Sequence, residues 1–68
     1  MKIEFTTGAY MRSHGRQPKG RGHWGFAFEG YEYWACGTLT EAKKACRAEV
    51  KRLAPAGYTE PVYVTVLP

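Results

Sequence analysis

Sixty-eight residues suffice for one domain, not two, and a chain this short must pack densely to fold at all. Ten Phe, Tyr and Trp side chains supply the density, whereas a single serine (Ser13), no Asp and six Glu leave little from which to assemble a catalytic centre. The net charge of +4 is concentrated: residues 12–23 hold four Lys/Arg and no acid, and the other six Lys/Arg are offset by six Glu. Clustering of that kind favours an anionic partner.

Residues 2–7 alternate polar and apolar side chains, the period-2 pattern of a half-buried strand with Ile3 and Phe5 inward. Gly8 interrupts the pattern, and Ala9, Tyr10 and Met11 are expected to continue the strand after a bend or bulge. In residues 12–23, Gly15, Pro18, Gly20 and Gly22 argue against a helix and against a central strand, so the stretch is expected to be a long, flexible basic loop. Its Arg12, Arg16, Lys19, Arg21 and His23 are candidates for phosphate or partner contact. The alternative is a solvated connection that keeps the domain soluble. Gly20-Arg21-Gly22 lacks the Gly-x-x-x-x-Gly-Lys-Ser/Thr pattern of a nucleotide-binding loop.

Residues 23–28 and 31–36 are aromatic-rich runs separated by Glu29-Gly30, which fits a tight hairpin. In that register Phe28 faces Tyr31, Phe26 faces Tyr33 and Trp24 faces Ala35, all on one face. Gly25, Ala27, Glu32, Trp34 and Cys36 occupy the other. The five aromatics of the first face either stack bases or build the core, and a domain this small needs them for the core. Trp34 is then the aromatic left exposed, and a candidate binding residue.

Thr38 followed by Glu41 reads as a capping box, and Leu39, Ala42, Cys46, Val50 and Leu53 form an apolar stripe at helical spacing. Lys43, Arg47 and Lys51 form a separate ridge, either a solvated face or a continuation of the loop's positive surface. Pro55 and Gly57 end the helix. Residues 61–67 are rich in β-branched side chains and read as a strand. The expected architecture is therefore a single α+β domain over residues 1–68, in the order β-β-β-α-β. It has a four-stranded, mostly antiparallel sheet with one helix packed on one face. A right-handed crossover would set the last strand beside and parallel to the first, in spatial order 4-1-2-3.

Chemistry-bearing constellations are sparse. His14 and His23 stand nine residues apart, a spacing no metal signature uses. Cys36 with a histidine can be drawn as a nucleophile and base, but nothing in the sequence orients the pair. No cofactor, metal, small-molecule substrate or enzymatic activity is expected. Cys36 and Cys46 are too few for a disulfide scaffold and are expected to be free thiols in a reducing, cytoplasmic compartment. The first residues lack an apolar targeting core, and no run approaches the roughly 20 apolar residues of a membrane span.

Residues 23–42 resemble the sheet-plus-helix DNA-binding domains of plant ethylene-response factors and the arm-binding domains of tyrosine recombinases. Trp24, Gly37, Thr38, Glu41 and Ala42 match their outline of aromatic strand, hairpin and helix start. That resemblance implies reading of the DNA major groove by basic and aromatic side chains of the exposed sheet face. Residues 23–28 and 31–36 depart from it in carrying no Arg or Lys. In size and style the chain also looks like small phage-encoded accessory proteins, including anti-CRISPR proteins. Two functions follow: a nucleic-acid-binding module, or a phage or mobile-element inhibitor whose basic loop docks on an acidic or nucleic-acid-binding surface of a larger complex.

Overall fold

The computed structural model describes residues 2–68. Its elements are β1 (Ile3–Thr6), α1 (Gly8–His14), β2 (Arg21–Phe28), β3 (Tyr31–Thr38), α2 (Leu39–Leu53) and β4 (Val62–Val66). The α+β class and the four-stranded, mostly antiparallel sheet agree with the sequence. The strand order is β1-β4-β2-β3, so β4 lies between β1 and β2 instead of at an edge. β4 pairs parallel with β1 and antiparallel with β2.

Val62, Val64 and Val66 are buried on one face of β4, whereas Tyr63 on the other face is 59% exposed. β1 has only four residues, with Ile3 and Phe5 half-buried, and Lys2 and Glu4 form an ion pair at 3.1 Å beside it. A short, charged strand is well suited to an edge.

The hairpin has the register read from the sequence, with Phe28 opposite Tyr31, Phe26 opposite Tyr33 and Trp24 opposite Ala35. Glu29 and Gly30 both take positive φ, 48° and 81°, the sign required of both central residues in a type I′ turn. Trp24, Phe26 and Phe28 are buried and Tyr33 is half-buried, but Tyr31 is 55% exposed. Tyr31 stands beside the turn, with its ring centre 6.1 Å from that of Phe28.

α2 begins with the expected capping box. The Glu41 N–H donates to Thr38 Oγ1 at 3.2 Å, and the Thr38 N–H donates to Glu41 Oε1 at 2.9 Å. These bonds satisfy donors that a helix start leaves free. Ala42, Cys46 and Val50 are buried against the Phe26 face, with Leu39 and Leu53 half-buried at the two ends of the stripe. Phe26, Val64, Val66 and Cys46 are the largest fully buried side chains, and Phe5 meets Phe26 edge-on at 5.7 Å. Burying a side chain such as Phe26 contributes about 1.5–3 kcal/mol.

A second helix is the main departure from expectation. Residues 8–14, read as strand continuation and loop, form α1, which ends where Gly15 takes φ 70° and its N–H donates to Met11 O at 2.8 Å. Arg12 therefore lies on a helix. At the other end of the basic stretch β2 starts at Arg21, so Arg21 and His23 lie on the sheet. Only residues 15–20 connect the two elements.

Candidate functional site

Local geometry gathers the basic stretch into one place. The 15–20 segment leaves α1 at Gly15 and buries Pro18. It is then tied to the start of α2 by the Leu39 N–H, which donates to Gly20 O at 2.9 Å. With both ends fixed, Arg16 and Lys19 come beside Arg21 and His23 at the start of β2. α1 adds Tyr10 and His14, one helical turn apart, whose rings stack at 4.1 Å with an interplanar angle of 20°.

The result is an open cleft of about 290 Å³ whose walls include His14, Arg16, Lys19, Arg21 and His23 together with Tyr10, Trp24 and Trp34. No Asp or Glu side chain lines it. Three permanent positive charges and two histidines thus share one concave surface with three aromatic rings.

Trp34 forms the outer wall. It is 49% exposed and stands opposite Gly25 on the sheet face away from α2. A Cβ built at Gly25 would lie 2.6 Å from Cη2 and Cζ3 and 2.7 Å from Cζ2 of Trp34. Near-equal distances to three consecutive ring atoms set that point over the ring face, since an edge approach would bring one atom much closer than its neighbours. One face of the indole is therefore closed by the Gly25 backbone. The indole Nε1–H donates to Glu32 Oε1 at 3.3 Å, and the His23 ring stands 5.9 Å away at 59°. On the inner wall, Trp24 Nε1 is buried and has no hydrogen-bond acceptor among the described residues.

Of the candidates read from the sequence, Arg16, Lys19, Arg21, His23 and Trp34 come together here. Arg12 does not line the cleft; its guanidinium lies back along α1 beside Gly8. Lys43, Arg47 and Lys51 do not line it either. Lys43 Nζ and Arg47 Cζ sit 5.3 Å and 5.0 Å from the centre of the Phe5 ring, where they cover that half-buried aromatic. The residues that sequence reading missed are Tyr10, His14 and Gly25, and Trp24, read as core, also lines the cleft. The first two join the site only through α1, and Gly25 only through its contact with a cross-strand ring.

Electrostatics ties the cleft to the helix cap. The backbone N–H of Thr38 holds the Glu41 carboxyl below the usual carboxylate range, helped by the Thr38 hydroxyl and, more weakly, by the charge of Arg21. Cys36 is exposed and stands opposite His23 in the β2–β3 register, but no hydrogen bond joins them. Among the described residues no three His, Cys, Asp or Glu side chains converge as a metal site would require. No described helix is long and apolar enough to cross a membrane.

A second concavity, about 210 Å³, lies at the hairpin end and is lined mainly by Phe28, Tyr31, Val50, Leu53, Tyr58 and Val62. It is apolar, and Glu29 is its only charged residue. Both concavities fall below the roughly 300–1,000 Å³ of a pocket that encloses a drug-sized ligand. Comparison with protein-family models, curated proteins and solved structures finds no match to this chain.

Proposed function

We propose that this chain is a non-catalytic nucleic-acid-binding module that holds a phosphate backbone against Arg16, Lys19 and Arg21. One observation carries the reading: three permanent positive charges, two histidines and an exposed indole share a cleft with no carboxylate side chain. Cations of this kind give affinity for any sequence by releasing counterions from the phosphates, and aromatic faces add stacking. The resemblance of residues 23–42 to sheet-plus-helix DNA-binding domains points to the same class. Two free thiols fit work in a reducing cytoplasm.

The experiment is a titration of wild type and an Arg16→Ala, Lys19→Ala, Arg21→Ala triple variant against DNA and RNA at two salt concentrations. Binding by wild type should weaken steeply with salt. Each contact removed should make the log–log slope shallower by roughly 0.7–0.9. Melting should shift little, since exposed substitutions stay within about ±0.5 kcal/mol each. Failure of wild type to bind either nucleic acid at low salt would overturn the reading. If binding then appeared only with an acidic protein surface, the chain would be an inhibitor or accessory factor of the phage or mobile-element kind.

A further inference from the structure

We infer that the cleft takes an unpaired strand, with one base laid on the free face of Trp34 and the flanking phosphates on Arg16, Lys19 and Arg21. This rests on the nucleic-acid reading above and specifies which form of nucleic acid the site accepts.

The geometry of Trp34 carries the inference. One ring face is closed by the Gly25 backbone, yet the residue remains about half exposed. The open area is therefore mainly the opposite face. The indole N–H donates to Glu32, and the His23 ring centre lies 5.9 Å from that of Trp34. A ring seated on backbone across one face, with its N–H bonded and its other face open, is a stacking platform that loses little freedom when a base settles on it. Every base has a π face, so such a platform accepts any unpaired base. The cations that line the same cleft supply the backbone contacts that stacking lacks.

A duplex does not meet these conditions. Its base faces are covered by neighbouring pairs, and only their edges appear in the grooves. Reaching Trp34 would require a base to be flipped out, at a cost of a few kcal/mol in unstacking. The hairpin face is also poorly equipped as a groove reader. Beside Trp34 it presents the carboxylate of Glu32, and its only permanent cation is Arg21, at the far end of the ribbon from the turn.

The test uses the full chain with two probes, an oligothymidylate of about 12 nucleotides and its duplex with oligodeoxyadenylate. Binding is followed by anisotropy and by tryptophan emission, with wild type, Trp34→Ala, Trp34→Phe and the triple variant. Wild type should bind the single strand tighter by about tenfold or more, with quenched emission. Trp34→Ala should lose roughly 5- to 100-fold on the single strand and little on the duplex, whereas Trp34→Phe should keep most of the affinity. Melting curves establish that both variants are folded. Equal affinity for the two probes, or a folded Trp34→Ala that binds the single strand like wild type, would overturn the unpaired-strand inference. The nucleic-acid reading would survive that result if the triple variant still lost binding. Absence of binding to both probes by wild type would overturn the two together.

Discussion

The Trp34 ring rests over the backbone of Gly25, its cross-strand neighbour, closely enough that a Cβ at position 25 would come within 2.6 Å of the ring. A real Cβ cannot approach so near, and the obstruction is a whole ring face, so the indole itself must move. Gly25→Ala should lift or rotate Trp34, shift the emission spectrum and reduce single-strand affinity toward that of Trp34→Ala. The rest of the core should remain folded, because the side chains of Phe26 and Trp24 project to the opposite face. Unchanged emission and affinity in Gly25→Ala would show that the seat is not what positions the ring.

The value of that glycine was not legible in the sequence, although its neighbours were. Alternation and the Glu29-Gly30 pair were enough to place Trp24, Phe26 and Phe28 on one face and Trp34 on the other. Thr38, Glu41 and the stripe through Cys46 were enough to place α2. What alternation cannot show is how far an aromatic ring leans across to the next strand.

α1 is hard to read in the sequence for a related reason. It has seven residues, one of them buried, so it offers no apolar periodicity, and Thr7 makes no capping hydrogen bond from its side chain. The available signals were at its end: Arg12 and His14 in the last turn, followed by Gly15 as a left-handed terminator. Strand order was equally hidden. Both β1 and β4 alternate, and alternation sets which face a side chain takes, not which strand lies beside it.

The hairpin turn gives a stability prediction. Gly30 takes φ 81°, a conformation that β-branched side chains resist. Gly30→Val should cost on the order of 1–2 kcal/mol. It should leave nucleic-acid affinity intact in the folded protein, because the turn lies at the opposite end of β2 from the cleft. Chemical denaturation checks the first part and a titration at low temperature the second. A midpoint equal to wild type would be inconsistent with the left-handed turn.

The two cysteines should behave oppositely. Cys36 is exposed and should react with iodoacetamide in the native protein, whereas Cys46 is fully buried and should react only on unfolding. Burial also pushes the Cys46 thiol up to about 11. An unfolded thiol ionises near 8.5, so between these values the unfolded chain sheds a proton that the folded chain keeps. Stability from this group is present in full below the unfolded value and is lost as pH rises through about 11. Cys46→Ala should lower the midpoint at neutral pH by leaving a small cavity, and should flatten the alkaline decline. Equal labelling of both thiols in the native state would contradict the buried position of Cys46.

Tyr10 holds α1 to the rest of the molecule. It is the one buried residue of that helix, packed 5.7 Å from Trp24 and stacked on His14. A seven-residue helix has no stability of its own in water, so α1 persists only while this contact does. Tyr10→Ala should cost about 2–4 kcal/mol, near the lower part of the range for large core truncations because the site is peripheral and can partly collapse. More specifically, the Met11 and Gly15 amides, which donate to Thr7 O and Met11 O, should lose their protection from hydrogen exchange while α2 amides keep theirs. The Tyr10 hydroxyl makes no hydrogen bond among the described residues, so Tyr10→Phe should stay within about 0.5 kcal/mol of wild type. Loss of α1 would also remove one wall of the cleft and release Arg16 and Lys19 from their fixed approach to Arg21. Nucleic-acid affinity of the still-folded Tyr10→Ala protein should therefore fall, while Tyr10→Phe binds normally. Retained exchange protection at Met11 and Gly15 in Tyr10→Ala would mean that some other contact anchors the helix.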